Sequence, residues 1–370
     1  MTTPHPAAAA ATETTGAAGA ATTTPTTAAA LRERVSRSTA WQEASSGGQA
    51  IAAALRVARE APSATLDRLS GASRIVISGA GSSYYIAQVA AVALRARCSL
   101  PTVAAPLSEV LLRPESVFEP VEPGRQPVLV VSRSGSTTEA LDVIRLARAR
   151  GEHALAVTCR PGSPMASLAD ATLAIPEADE RAIVMTRSFA AQATLLMRLG
   201  ARIGEPAFAR DLDALPGHWA TLAPYIELAF ELALAHPSRV VILGGGAAYG
   251  IASEAVLKLT ETSQVPASAY HPLEFRHGPI SVCEPGMLVV GILGGGSEAA
   301  ERRVLAESSA LGATIWSLGR EGPAAALDEI ARLPLVLHVL QALALGVAVR
   351  RGMDPETPRH LDQVVVIEGE

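Results

Sequence analysis

The sequence predicts an α/β protein made of two copies of one unit, each with a parallel β-sheet covered by helices. Short, continuous apolar segments alternate with helical segments along the chain. This alternation is typical of parallel strands that are buried on both faces of the sheet. In addition, two glycine-rich stretches recur in the same order in the second half of the chain.

The chain opens with a low-complexity segment rich in Ala, Thr and Pro, and we assign residues 1–34 to a disordered tail. The segment 49–61 then predicts an amphipathic helix from its apolar spacing. RIVISG at 74–79 predicts a buried strand that ends at glycine, and 84–97 predicts the helix that follows it.

The next elements continue the alternation as strand, helix and strand at 127–135, 137–151 and 153–159. We place the first domain at 35–215 and the second domain at 216–370. The length of 370 residues is enough for two domains of ordinary size.

The repeat supports this division into two domains. Residues 77–87 (ISGAGSSYYIA) align without gaps to 242–252 (ILGGGAAYGIA) at an offset of 165. Residues 130–141 (VVSRSGSTTEAL) align without gaps to 289–300 (VVGILGGGSEAA) at an offset of 159. Two matches in the same order at nearly the same offset indicate a duplication of one α/β unit.

The two copies keep their turn glycines but differ in their hydroxyl groups. The first copy alone carries a set of polar side chains in its two loops, namely Ser82, Ser83, Ser132, Arg133, Ser134 and Thr137. Ligands of parallel α/β sheets bind at the carboxyl ends of the strands, where helix N-termini favour an anion. Hydroxyls that only cap helices or form turns are the alternative. We predict a phosphate site in the first copy only.

Composition excludes several other classes of function. The net charge of −5 gives no basic surface for nucleic acid, and the loop spacing fits neither a dinucleotide fold nor a P-loop. The three cysteines are far apart, so we expect no disulfide framework, no metal site and no cofactor. The apolar run 331–350 contains His338 and Gln341, so we predict a core helix there, no membrane span and a cytoplasmic protein.

Lys258 is the only lysine in the chain, and it lies between two glutamates. Glu254, Lys258 and Glu261 are spaced i, i+4 and i+7, which places them on one face of a helix. This pattern fits either a surface stripe with two ion pairs or a site that moves a proton beside a carbonyl. The residues alone leave both interpretations open.

Four motifs together resemble the sugar isomerase (SIS) domain family in its tandem form: GAGSSY at 79–84, SRSGSTTE at 132–139, EAVLKLTE at 254–261 and EFRHGP at 274–279. The resemblance covers 36–370. It implies two flavodoxin-like domains, each with a five-stranded parallel sheet, and a sugar phosphate bound at the serine loops. It also implies that Glu261 is the catalytic base, that His277 opens the sugar ring, and that Glu254 and Lys258 support the catalysis. A homodimer in which the His277 loop reaches the neighbouring subunit is expected.

Departures from the glucosamine-6-phosphate synthase branch of the family narrow the expected function. No cysteine precedes Cys98, so we expect no glutaminase in this chain, and Gln363 stands where that branch has a lysine that forms an imine. We therefore predict an amino-sugar 6-phosphate isomerase or deaminase. The alternatives are a lyase that eliminates the 3-substituent of an N-acetylhexosamine 6-phosphate, and a non-catalytic sugar-phosphate sensor.

Overall fold

The computed structural model describes residues 24–364, and two parallel sheets flanked by helices confirm the predicted fold class. The elements of the first half are α1 (Ala28–Ser36), α2 (Thr39–Ser45), α3 (Gly47–Glu60), α4 (Ser63–Ser70), β1 (Ile75–Gly79), α5 (Ser82–Cys98), β2 (Thr102–Pro106), α6 (Leu107–Leu112), α7 (Pro114–Val117), β3 (Val128–Val131), α8 (Thr138–Ala149), β4 (Ala154–Thr158), α9 (Pro164–Leu168), β5 (Ala171–Ala174), α10 (Arg187–Gly204) and α11 (Pro206–His218). The elements of the second half are α12 (Ala223–Leu234), β6 (Arg239–Gly244), α13 (Ala247–Ser263), β7 (Ala267–Tyr270), β8 (Met287–Ile292), α14 (Glu298–Ala310), β9 (Thr314–Ser317) and α15 (Leu333–Arg350).

The two sheets share one strand order. The first is β2-β1-β3-β4-β5 and the second is β7-β6-β8-β9, with every neighbouring pair parallel. The expectation of five strands in each sheet is wrong for the second, which has four within 24–364. After β9 the chain runs through turns over 319–332. Gly319, Gly322 and Pro323 interrupt that segment, and such residues disfavour a ladder-forming strand.

The predicted tail is wrong in its last part, because α1 begins at Ala28. Leu31 and Val35 lie one helical turn apart and are fully buried, so this face of α1 is part of the core. Residues 1–23 of the predicted tail lie outside the described residues. The predicted domain boundary at 215/216 falls inside α11, and the division into two domains otherwise stays a prediction.

The duplication is visible in backbone geometry. Gly81 (φ 54°, ψ −127°) and Gly246 (φ 55°, ψ −126°) have the same conformation with positive φ, which a residue with a side chain adopts only with strain. Each of these glycines precedes a helix of 17 residues, α5 or α13. The two copies therefore use one strand–turn–helix unit at the same place.

The two copies meet where α5 packs against α13. Gly250 of α13 allows this close approach, since a Cβ there would lie 2.7 Å from Cγ2 of Val89 and 3.0 Å from the carbonyl oxygen of Tyr85. Neither distance is compatible with an ordinary side chain unless the helices move apart. The separation of α5 and α13 is thus set by a glycine.

Among the described residues, α15 is the one helix long and apolar enough to cross a membrane. It lies against α10, α12 and α13, and 94% of its apolar window is buried inside the protein. The prediction of a core helix at 331–350 is confirmed.

Candidate active site

A cavity of about 280 Å³ lies where the carboxyl ends of β1 and β3 face α13. It is lined by all six predicted phosphate-binding residues and by two of the predicted catalytic residues: Ser82, Ser83, Ser132, Arg133, Ser134, Thr137, Lys258 and Glu261. Its position agrees with the rule that ligands of parallel sheets bind beyond the strand ends. The first copy supplies the loops, and the second copy supplies the charged helix.

The serine loops place two helix N-termini beside this cavity. Gly81 ends the β1 turn, and α5 begins at Ser82; Thr137 ends the β3 loop, and α8 begins at Thr138. The N-termini of helices attract anions because their first amide groups and their dipole face outward. Two such N-termini on one small cavity favour a phosphate group.

The hydroxyls of the second loop have a structural role as well. The amide of Gly135 donates to Oγ of Ser132 (3.2 Å), and the amide of Ser136 donates to Oγ of Ser134 (3.2 Å). The capping interpretation does not hold for α5 and α8, whose N-cap residues Gly81 and Thr137 make no side-chain cap hydrogen bond. These serines therefore form the turn and at the same time line the cavity.

The charged residues of α13 form a connected group, of which Lys258 and Glu261 line the cavity and Glu254 lies behind them in the protein interior. Lys258 Nζ lies 2.6 Å from Oε2 of Glu261 and 3.4 Å from Oε1 of Glu254. Ser82 donates from Oγ to Oε1 of Glu254 (3.1 Å), and Lys258 donates to Oγ of Ser82 (3.3 Å). The side chain of Glu261 is 17% exposed, whereas those of Lys258 and Glu254 are almost fully buried. The surface-stripe interpretation of these residues is wrong.

Burial controls the protonation of this group. It raises the pKa of Glu254 to about 8, against the opposing effect of Lys258. Burial alone would lower the pKa of Lys258, but Glu254 and Glu261 outweigh it, and the pKa of Lys258 is raised. The lysine is therefore an ammonium ion at neutral pH, while the deepest carboxyl group tends to hold its proton. Oε2 of Glu254 has no hydrogen-bond partner among the described residues.

Arg133 lines the cavity, but its guanidinium group donates to protein carbonyl groups. Nη1 donates to the carbonyl oxygen of Ala182 (3.0 Å), and Nη2 donates to that of Gln363 (3.3 Å). Nη1 also lies 3.7 Å from Oε2 of Glu180. Two of the nitrogens that we assigned to phosphate binding are thus directed at the wall of the cavity.

His277 is the one predicted catalytic residue that belongs neither to the cavity lining nor to the connected group on α13. It follows the 3₁₀ turn Glu274–Arg276, it is exposed, and it does not belong to the cavity lining. Gly278 next to it has φ 115°, which shapes a projecting loop.

Other lining residues were not predicted from the sequence. They include Ile183 and Met185 from the segment before α10, Glu139 from the first turn of α8, and Asp362 near the end of the described chain. Glu139 lies within the SRSGSTTE motif and could have been included. The other three carry no sequence signal, because they reach the cavity only through tertiary folding.

The chain belongs to the SIS domain family. The model of that domain matches residues 68–202 and 233–324, one segment in each half of the chain. This match agrees with the duplicated strand–turn–helix unit and with the position of the cavity.

Curated relatives are isomerizing glutamine–fructose-6-phosphate aminotransferases. That of Tropheryma whipplei is 29% identical over 331 residues, which cover 82% of this chain and 53% of the relative. That of Pyrobaculum aerophilum is 31% identical over 324 residues, which cover 81% and 52% respectively. The chain spans about half the length of the curated relatives it matches.

Solved structures match almost end to end. Glucosamine-6-phosphate deaminase from Thermotoga maritima superposes with a TM-score of 0.76 at 26% identity, covering 89% of this chain and 100% of that one. Tagatose-6-phosphate ketose/aldose isomerase from Escherichia coli has a TM-score of 0.76 at 22% identity, with 87% and 95% covered, and this likeness concerns the fold alone.

Proposed function

We propose that the protein is an isomerase or deaminase of an amino-sugar 6-phosphate, with glucosamine 6-phosphate as the first substrate to test. The observation that carries the proposal is one cavity in which the serine loops face Lys258 and Glu261. The groups proposed for phosphate recognition and for proton transfer then line the same cavity of about 280 Å³. The Thermotoga maritima deaminase, matched over its whole length, supports this choice of substrate class.

In this proposal Glu261 is the general base. It is the more exposed carboxylate of the pair on α13 and it lines the cavity, so it can reach a carbon-bound proton of a substrate. Abstraction of the proton beside the C1 or C2 carbonyl leaves negative charge on the carbonyl oxygen. The Lys258 ammonium, 2.6 Å from Oε2 of Glu261, is placed to stabilise that charge.

Lys258 has this electrostatic role rather than that of an imine former. Formation of an imine needs a neutral amine, which requires a lowered pKa, whereas the two carboxyl groups raise the pKa of Lys258. Borohydride treatment with substrate, followed by intact mass, checks this point because the chain has no second lysine. A sugar adduct that is absent from Lys258→Arg would overturn the electrostatic role.

The test of the function is an assay of hexosamine, N-acetylhexosamine and ketose 6-phosphates with three readouts. Ammonia release together with a ketose product is the expected result for glucosamine 6-phosphate. Interconversion of ketose and aldose without ammonia would indicate an isomerase, and an unsaturated product from an N-acetylated substrate would indicate a lyase. Binding of these compounds without turnover would contradict the proposal and favour a sensor. Glutamine as donor should give no product.

We also propose a homodimer in which His277 of each subunit enters the cavity lined by Lys258 and Glu261 in the neighbouring subunit. The support is that His277 is exposed outside its own cavity and is flanked by the exposed apolar side chains of Leu273 and Val282. Inactive His277→Ala and Glu261→Gln proteins, mixed under conditions where subunits exchange, should regain activity through hybrid dimers. No gain despite exchange would mean that each chain builds its own site.

A further inference from the structure

Arg133 has an unusual environment for a residue at a phosphate loop. It is 5% exposed, and the two carbonyl groups it contacts belong to segments far apart in sequence. One is Ala182, in the segment that leads to α10, and the other is Gln363, near the end of the described chain. A guanidinium group holds such a pair well, because its donors form a rigid planar fork.

The side chain of Gln363 makes a second contact with the segment that contains Ala182. Nε2 donates to the carbonyl oxygen of Glu180 (3.0 Å) and to that of Arg181 (3.1 Å). Gln363 thus accepts at its main chain from Arg133 and donates from its side chain to the segment beside Ala182. Asp362, Gln363 and Val364 all line the cavity.

The segment 180–182, whose carbonyl groups accept these hydrogen bonds, makes further hydrogen bonds through buried carboxylates. The carboxylate of Glu43, on α2, accepts from the amides of Arg181 (2.8 Å) and Ala182 (3.0 Å). The buried carboxylate of Glu180 accepts from the amide of Thr186 (2.8 Å) and from the hydroxyl of Ser188. The segment 180–182 is therefore a fixed support rather than a loose loop.

We propose that Arg133 is a positioning residue that fastens the segment 362–364 along the wall of the cavity, and that it is not a phosphate ligand. Arg133 and the side chain of Gln363 form two independent fastenings onto the same support. The kinetic consequence of this inference rests on the proposed function, whereas the fastening itself does not. In this arrangement Arg133, which stands in the serine-rich loop after β3, determines where the segment 362–364 lies.

The fastening is tested by limited proteolysis with chymotrypsin, followed by mass spectrometry. The bond after Leu361 is the reporter, because Leu361 is exposed and adjoins the fastened segment. Arg133→Gln and Gln363→Ala should each increase the rate of cleavage there by about tenfold, because local opening sets the rate of proteolysis. Ser134→Ala is the matched loop control and should be cleaved at the wild-type rate.

Arg133→Gln removes the positive charge beside buried Glu180 and can unfold the protein. Arg133→Lys keeps that charge but cannot form the fork, and Gln363→Ala leaves Arg133 intact. Faster cleavage in both of these folded variants supports the proposal. Cleavage of both at the wild-type rate overturns it.

The second half of the proposal is tested by calorimetric titration with inorganic phosphate and with glucosamine 6-phosphate. Ser134→Ala should weaken both ligands by about tenfold, whereas Arg133→Lys should change phosphate binding less than twofold. An equal loss in the two variants would make Arg133 a phosphate ligand and overturn the proposal. If the wild-type protein binds neither compound, the proposed function fails, and the proteolysis still decides the fastening.

Discussion

The two halves of the chain each carry a cavity at the same place in the fold, and the two cavities differ in what fills their loops. In the first, hydroxyl loops face Lys258 and Glu261. The second has a volume of about 340 Å³ and is lined by the glycine loop that includes Gly294 and by α5 residues such as Ala96. At the repeat offset of 165, the counterparts of Glu254, Lys258 and Glu261 are Val89, Ala93 and Ala96.

In the second cavity, carboxylates of the chain itself occupy the hydrogen-bond donors of the loop. The amide of Gly294 and the hydroxyl of Ser297 donate to the carboxylate of Glu301, each at 2.8 Å. The amide of Gly295 donates to the carboxylate of Glu329. These donors lie at the loop that corresponds to the serine loop of the first copy. A carboxylate attached to the chain competes with a free phosphate at no cost in translational freedom.

The fold places a loop beside a helix N-terminus at the same strand end in both copies. The side chains then decide whether a carboxylate of the chain occupies that loop. The turn glycines of the first loop are equivalent, but those of the second loop are not: Gly135 has φ 62°, and Gly294 is not in the left-handed region. The glycine is present at both positions of the second pair, but only Gly135 has a positive φ there.

The largest expected difference between the cavities is catalytic. Glu261→Gln should lower kcat/KM by about 100-fold or more, because it removes the general base. Glu301→Gln, at the second cavity, should lower it less than about twofold. Steady-state assays of the two folded variants measure this difference. Equal losses would show that the second cavity takes part in the reaction.

The next prediction concerns the buried carboxyl group of Glu254, which the first copy replaces with Val89. The pKa of Glu254 is raised by burial to about 8, so the folded protein keeps a proton that the unfolded chain loses above about pH 4.5. The free energy of unfolding should therefore fall with rising pH up to about pH 8, by at most about 1.4 kcal/mol per pH unit from this group.

Glu254→Gln lacks this titration. As the pH rises from 5.5 to 7.5, the free energy of unfolding of the variant minus that of the wild type should increase by about 3 kcal/mol. Urea unfolding of both proteins at each pH measures this change. If the free energies of unfolding of the two proteins instead change with pH in the same way, Glu254 is ionised at neutral pH.

The serine prediction has a smaller effect. Ser134→Ala should increase KM by about tenfold, because it removes a hydrogen bond to a charged phosphate group. Ser297→Ala should leave KM unchanged, since its hydroxyl already donates to Glu301. Equal changes in KM would refute the assignment of the phosphate site to the first copy.

The smallest effect is expected at the edge of the second cavity. Arg97 lies 2.8 Å from Asp328 and 3.2 Å from Glu329, and all three side chains are partly exposed. Arg97→Gln should lower the free energy of unfolding by about 1 kcal/mol or less and leave kcat/KM unchanged. A large loss of activity would mean that this ion pair supports the first cavity from a distance.

The sequence was most informative where a local pattern determines the structure. Two ungapped alignments identified the repeat, and Gly81 and Gly246 match within the first because only a residue without Cβ adopts their φ easily. The spacing of Glu254, Lys258 and Glu261 placed them on one face of α13. Their burial was not predictable, because it depends on α5 packing against them from another part of the chain.

Side-chain direction was the least predictable feature. Arg133 was expected to face a phosphate because it stands between two loop serines, but its contacts depend on segments 49 and 230 residues away. Leu31 lies within the segment 1–34 that the composition assigns to a disordered tail. It is a core residue because α1 packs on α12 and α15. Contacts of this kind have no local signature in the sequence.

The packing of α5 on α13 at Gly250 makes the two copies depend on each other. The proposed base Glu261 and its ammonium partner Lys258 belong to one copy, and the loops proposed to hold the phosphate belong to the other. Neither copy expressed alone contains a complete set of groups for the reaction. Separation of the two copies would therefore divide the proposed site, at a contact where a Cβ on Gly250 does not fit.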